Sequence, residues 1–386
     1  MIRVMDSSRR RNDLLALIAL ACGGLALLAV ISKPYWSRIA LGYTDFLSFY
    51  AGGRLAFTPG LYDPQQSMAV QLRVAHVMGE GTFFIRMPWF AAAMWPLARL
   101  PYIPAQLIWQ GLLVAGLITF VALWPKPTAA VRAVVLCFSL PAMISILMGQ
   151  DVPLLLACMA VSLMLLQRDK PVLAGLILSL TLAKFHLFLP LFPAVLIARR
   201  WKFAGGLFGG ASILTGVSFL VSGADWPWRF LAALKDPAIT PTISTSPSFY
   251  YLIHGTPAAR NLAMAAIGIA LMVFYLRMAR NDVQFLIAAA PAVILPLLPH
   301  AGAYDCLLLT PVAMLALEGA SKGVKAVGAL LLFPVTYFIA WSFNSLAMLI
   351  PILDVLLLAF CALPRLSVNF NTLQSSALPA QAVRTD

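Results

Sequence analysis

Long apolar runs, separated by short polar connections, set the pattern of this chain. The hydrocarbon core of a bilayer is about 30 Å thick, and a helix needs roughly 20 mostly apolar residues to cross it. Runs of this kind predict twelve spanning helices, at about 14–32, 104–124, 131–148, 152–167, 171–184, 187–198, 203–221, 259–276, 283–298, 306–317, 325–342 and 346–363. The shorter ones are expected to extend into their flanks. The segment Met87 to Leu100 (MPWFAAAMWPLARL) is also apolar. It is short, however, is interrupted by Pro88 and Pro96, and is followed by Pro101. It also carries Trp89 and Trp95, which favour the membrane interface. A helix lying at the outer interface is therefore expected here.

Charge then orients the helices. The sequence has 27 Lys and Arg against 14 Asp and Glu, a net charge of +13. With 87–100 left out of the spans, Arg9-Arg10-Arg11, Lys126 and Arg132, Arg168 and Lys170, Arg199-Arg200-Trp201-Lys202, Arg277 and Arg280, and Lys322 and Lys325 share one side. By the positive-inside rule that side is cytoplasmic. Both termini are then inside, and two large loops, 33–103 and 222–258, are outside. Short juxtamembrane helices are expected in the first. The organisation is a basic N-terminus over 1–13, one transmembrane domain over 14–365, and a polar tail over 366–386. Residues 1–31 have the charge and hydrophobicity of a signal peptide, but no small-x-small cleavage site follows, so they read as an uncleaved first span.

Composition agrees. The chain is 61% hydrophobic and 11% charged, with mean hydropathy +0.89. A soluble domain is nearer 45–50% apolar and about 25% charged. The chain therefore reads as an all-α, multi-pass protein of a cell (inner or plasma) membrane. Its basic residues are dispersed, which gives no reason to expect nucleic acid. The five cysteines form no C-x-x-C pair and read as buried small hydrophobes.

This topology gathers the unusual polar residues on the outer side. Asp45, in Tyr43-Thr44-Asp45-Phe46, and Asp63, in Leu61-Tyr62-Asp63-Pro64, fall in the first outer loop. Gln150-Asp151 ends the third span, Lys184-Phe185-His186 joins the fifth and sixth, and His300 and Asp305 lie between the ninth and tenth. A carboxylate so close to a bilayer is costly unless it pairs or works. Structural alternatives stand beside each functional reading. Asp45, Asp151 and Asp305 are also suited to capping helices. Lys184 could snorkel to the interface, although its apolar surroundings favour a specific anionic partner. His300 could be an ordinary loop residue, and His76 and His254 read as solvated or packing residues.

Several chemistries have no signature here. There is no D-x-D to clamp a nucleotide-sugar diphosphate through a metal, no P-loop, no G-x-G-x-x-G, no H-E-x-x-H and no Ser-His-Asp set. No cofactor and no metal site are expected. Ion-coupled transporters place acids near the bilayer midplane, and only Asp354 reads as intramembrane. A transporter or lipid flippase, and a non-catalytic membrane scaffold, remain the competing readings.

The motif series Asp45-Phe46 … Phe49-Tyr50-Ala51-Gly52-Gly53 … Leu61-Tyr62-Asp63 resembles the first outer loop of glycosyltransferase family 87. That family belongs to the GT-C superfamily and includes mycobacterial phosphatidylinositol-mannoside mannosyltransferase. Met87-Pro88-Trp89-Phe90, Gly149-Gln150-Asp151, Lys184-Phe185-His186 and Pro299-His300 … Tyr304-Asp305 follow in the family's order, so the resemblance covers about 40–310. Met87 and Phe185 stand where the family pattern has proline. The resemblance implies a GT-C-like bundle that moves a hexose, mannose by analogy, from a polyprenyl-phosphate donor to a lipid or glycan acceptor at the extracytoplasmic face. It implies Asp45 as general base of an inverting transfer. Lys184, His186 and His300 then hold the donor phosphate, and Tyr50, Tyr62, Trp89, Gln150, Asp151 and Asp305 line the substrate path.

Overall fold

A computed structural model describes residues 7–75, 82–236, 246–251, 253, 255–319, 321–342, 346 and 348–360. His76, His254 and the tail 366–386 lie outside the described residues. Among the described residues the regular structure is helical throughout, without a strand.

Four helices are long and apolar enough to cross a membrane: Tyr102–Leu123, Pro171–Phe188, Trp201–Ser222 and Pro257–Ala279. Their outer faces carry bare apolar side chains. Leu107, Leu220 and Leu262 are 63%, 84% and 73% exposed, which suits a hydrocarbon surrounding rather than water. Two further pairs, Ala129–Cys137 with Leu140–Met148 and Lys322–Leu332 with Pro334–Ala340, are bent by 66° and 64°. The chain is thus an all-α, multi-pass membrane protein with four such helices among the described residues, or up to six if each bent pair is one span.

Of the twelve expected spans, four form single helices of membrane length among the described residues, and others are bent or shorter. Proline is the main reason. Pro141 and Pro334 start new helices inside the runs read as 131–148 and 325–342. Proline lacks the N–H that would continue the preceding helix, and Phe333, before Pro334, is extended. Elsewhere the helices are short. Val152–Gln167 has 16 residues and covers about 24 Å at ~1.5 Å per residue. The run read as 187–198 is divided between the end of Pro171–Phe188 and the short helix Leu191–Ile197.

The first outer loop does contain short helices: Lys33–Ala40, Phe46–Leu55, Pro64–Val74 and Pro88–Ala98. Pro88–Ala98, with 11 residues, is about 16 Å long and too short to span. It packs on Phe46–Leu55 and on Trp201–Ser222, and its Trp89, Phe90, Ala91 and Met94 are buried. The loop therefore folds down onto the long helices and forms part of their core.

The tightest helix pair is Pro171–Ser179 against Trp201–Ser222. A Cβ on Gly175 would lie 2.3 Å from the Phe203 carbonyl oxygen, and one on Gly206 only 2.1 Å from that of Val172. Small residues let the two backbones touch, as they do between membrane helices generally. This contact fixes the helix that ends at Lys184.

Candidate active site

The site grows from an aromatic core. Phe46 stacks on Tyr102 and Trp109, with ring centroids 5.8 and 6.0 Å apart, and Phe49 meets Phe90 edge-on at 5.2 Å. Trp109 Nε1 donates to the Gly149 carbonyl at 2.7 Å. Gly149 ends Leu140–Met148 in the left-handed region, with φ +72°. A Cβ there would lie 2.6 Å from Phe46 Cβ. Only glycine combines that backbone with that contact. The next residue, Gln150, is thereby set against the residue before Phe46.

That residue is Asp45. Gln150 Nε2 donates to Asp45 Oδ2 at 2.7 Å. Asp45 stands at the N-cap position of Phe46–Leu55, yet its side chain makes no capping bond. Asp151 likewise precedes Val152–Gln167 without capping it. Its carboxylate takes a forked bond from Arg86, with Nε to Oδ2 at 3.3 Å and Nη2 to Oδ1 at 3.2 Å. Arg86 Nη2 also reaches Gln150 Oε1 at 3.5 Å, and the guanidinium lies 5.2 Å from the Phe49 ring centroid.

Lys184 completes the group. It pairs with Asp305, approaches Asp151 Oδ1 at 3.8 Å, and stands 4.6 Å from the Tyr304 ring centroid. Lys184 is 3% exposed, so it does not snorkel. Both partners sit on 3₁₀ segments, Leu180–Lys184 and Ala303–Leu309, where an α-helix would turn their side chains differently. Asp305 also accepts from the Gly302 N–H at 2.9 Å. His186, half-buried, senses the charges of Asp305, Lys184, Arg86 and Asp151.

Electrostatics separate the two neighbouring acids. Burial pushes the Asp45 carboxyl above the ordinary carboxylate value, against the pull of the Gln150 hydrogen bond and of Lys184 and Arg86. Burial pushes Asp151 the same way, but the Arg86 and Lys184 charges outweigh it and hold that carboxyl below the ordinary range. Two carboxylates pushed apart in this way suit different tasks. Asp151 is a fixed anion that holds cations, whereas Asp45 is the better proton acceptor.

The other expected site residues divide. Tyr62 donates to the Arg86 carbonyl at 2.8 Å, and its ring packs near Phe84 and Phe230. Trp89 is buried, and its Nε1 has no hydrogen-bond partner among the described residues. Tyr50 is committed to structure, donating to the Leu100 carbonyl at 2.8 Å and accepting from Arg54 at 2.9 Å. Asp63 is an exposed helix cap whose Oδ1 accepts from the Gln65 and Gln66 amides. Those bonds hold its carboxyl below the ordinary range. His300 is exposed, unlike the buried Lys184–Asp305 pair. Arg86 did not stand out among the basic residues of the first loop. Its one sequence signal is a lone charge in Phe83-Phe84-Ile85-Arg86-Met87-Pro88.

Among the described residues no group of three His, Cys, Asp or Glu side chains is placed to hold a metal ion. No curated protein and no solved structure matches the chain. A model of glycosyltransferase family 87 does match, over residues 84–299. The matched stretch carries Arg86, Gln150, Asp151 and Lys184, while Asp45 and Asp305 flank it. With more than half of its 386 residues matched, the chain belongs to glycosyltransferase family 87 and is a membrane glycosyltransferase.

Proposed function

We propose that this transferase moves a hexose, mannose by family analogy, from a polyprenyl-phosphate donor to a hydroxyl of a lipid or glycan acceptor. The reaction takes place at the extracytoplasmic face of the cell membrane. The observation that carries this reading is the buried group in which Asp45 stands beside two cations, Arg86 and Lys184.

In this reading the acceptor oxygen attacks the anomeric carbon as the bond from that carbon to the phosphate oxygen breaks. The hydroxyl proton passes to Asp45, and the lipid phosphate leaves with the bonding pair. One displacement inverts the anomeric centre, and one carboxylate suffices as base. The transition state resembles an oxocarbenium ion, so a dry site lined by aromatic rings and fixed charges suits it.

Phosphate needs cations and hydrogen-bond donors. Lys184, His186 and His300 are assigned to it, and Arg86 joins them. Lys184 is paired with Asp305, and Arg86 with Asp151. Phosphate binding is then an exchange of anionic partners rather than the filling of an empty cradle. Trp89 Nε1 offers a donor to a sugar or acceptor oxygen, and Tyr62 flanks Arg86. The test is a product assay with purified protein, radiolabelled polyprenyl-phosphate mannose and a panel of lipid and glycan acceptors. A labelled acceptor product supports the reading. Movement of intact donor lipid between leaflets without any product favours the flippase reading.

A further inference from the structure

A cavity of about 920 Å³ lies at the far ends of the helices that carry the catalytic group. Asp151 precedes Val152–Gln167 and Gln167 ends it, which separates the two sites by about 24 Å at ~1.5 Å per residue. Pro171 and Lys184 are similarly placed along Pro171–Phe188. Gln167 and Pro171 line the cavity, while Asp151 and Lys184 belong to the catalytic group. The cavity therefore opens on the opposite face of the bundle.

Its wall is basic. Arg199, Arg200 and Lys202 line it from the turn between Leu191–Ile197 and Trp201–Ser222. That turn is held by Arg199 N–H to the Leu196 carbonyl and Arg200 N–H to the Val195 carbonyl, each 3.0 Å, with Arg199 at φ +52°. Among the described residues none of these three cations is in an ion pair. Of the lining acids, Asp282 accepts from the Gln284 and Phe285 amides at 3.0 Å each, so its charge supports its own helix start. Asp169 is the other. Gln284 also lines the cavity, and its Nε2 is buried without a hydrogen-bond partner among the described residues.

The surroundings are apolar. Trp201, Leu196 and Ile197 are 64%, 41% and 45% exposed beside the basic turn. A basic pocket between membrane helices with an apolar collar matches a ligand that has a phosphate head and hydrocarbon tails. The volume is near the upper end of small-molecule sites, roughly 300–1,000 Å³, and far exceeds what a lone phosphate fills. We propose that this cavity binds the headgroup of an anionic phospholipid, with Arg199, Arg200 and Lys202 on the phosphate and Gln284 donating to a headgroup oxygen.

The test uses the full chain purified in a neutral detergent, with thermal unfolding and native mass spectrometry as readouts. The probes are short-chain phosphatidylglycerol, short-chain phosphatidylcholine and inorganic phosphate. Phosphatidylglycerol is expected to raise the unfolding midpoint saturably and to stay bound in the mass spectrum, whereas the other two are not. The combined Arg199→Ala, Arg200→Ala, Lys202→Ala variant is expected to bind it about tenfold or more weakly, since charge-assisted hydrogen bonds are lost. An equal response to phosphatidylcholine would overturn the proposal, as would unchanged affinity in the triple variant. A full response to inorganic phosphate alone would assign the cavity to a soluble anion and overturn the lipid assignment. If loss of these charges disturbs insertion, Arg199→Lys with Arg200→Lys keeps the charge and removes only the guanidinium forks. That pair is expected to weaken binding about three- to tenfold, and wild-type affinity there would count against the proposal. Catalytic turnover enters none of these readouts, so the outcome is independent of the proposed transfer reaction.

Discussion

Gln150 donates a 2.7 Å hydrogen bond to the Asp45 carboxylate across 105 positions of sequence. With the Arg86–Asp151 fork, that bond ties the segment 33–103 to the membrane helices at the site. It takes up the carboxylate of a residue placed at a helix start, where a cap would have been the ordinary use. Among the described residues the second Asp45 oxygen accepts no side-chain hydrogen bond, and in the proposed reaction it receives the acceptor hydroxyl.

Gly149 is the hinge of this relationship. Gly149→Ala puts a side chain at φ +72°, with its Cβ 2.6 Å from Phe46 Cβ. Strain of this kind costs on the order of 1–3 kcal/mol. A lower thermal midpoint is expected, together with a fall in kcat larger than the loss of folded protein explains, because both Gln150 and Asp45 are displaced. Wild-type turnover in the folded fraction would show that the Gln150–Asp45 geometry does not set the rate.

Donor binding is the second prediction. If Lys184 and His300 hold the donor phosphate, removing either takes away charge-assisted hydrogen bonds worth about 1.5–3 kcal/mol each. Lys184→Ala and His300→Ala are expected to weaken donor binding by roughly ten- to a hundredfold, read as donor KM or as direct binding. The structure buries Lys184 with Asp305, so Lys184→Ala also leaves a carboxylate without its cation, and some loss of stability accompanies it. Lys184→Ala with Asp305→Asn is expected to recover stability without recovering donor affinity. Wild-type affinity in both single variants would reject the assignment.

The sequence made the class of the protein legible and singled out several of the polar residues that the fold brings together, but not their pairing. Hydropathy located the long apolar helices, because apolar length is a local property, but not Lys33–Ala40, Phe46–Leu55, Pro64–Val74 or Trp226–Lys235. It did not show where a span bends, because Pro141 and Pro334 interrupt helices without reducing apolarity. Asp45, Gln150, Asp151, Lys184 and Asp305 stood out as polar residues at the ends of apolar runs, where burial has to be compensated. Arg86 did not, since one arginine in a long loop looks like any other until Tyr62 and Phe49 are seen to enclose it. Tyr50 was drawn in by its motif, whereas its hydroxyl serves the fold. Which carboxylate faces which cation depends on 3₁₀ turns and a left-handed glycine, and no periodic pattern encodes those.

Topology is the third prediction. The charge bias places 222–258 outside and the Arg199–Lys202 turn inside. Lys235 is exposed at the end of Trp226–Lys235. A Lys235→Cys variant in a background without native cysteines is expected to react with a membrane-impermeant maleimide added from outside. Labelling only from the cytoplasmic side would invert the assignment and move the catalytic group to the other face.

Asp45→Asn separates base from scaffold. The substitution keeps size and the ability to cap a helix, since Asn and Asp are comparable there, but it removes basicity. If Asp45 is the general base, transfer is expected to fall by about 10²–10⁴ while donor binding persists. The wild-type pH profile carries the same information. The ionised carboxylate is the active form, so kcat/KM falls as pH drops through the Asp45 pKa. Burial raises that pKa, which places the acid limb above the ordinary carboxylate value. Stability runs the other way. The folded state holds this proton more tightly than the unfolded chain, so folding loses stability as pH rises from the unfolded value of about 3.9 to the raised folded one. That penalty persists at neutral pH. Asp45→Asn removes it and is expected to leave the thermal midpoint at neutral pH unchanged or higher. A well-folded, inactive and undiminished Asp45→Asn protein that still binds donor fits only a carboxylate kept for chemistry. Substantial transfer by that variant would end the assignment and make Asp151 the next base to test.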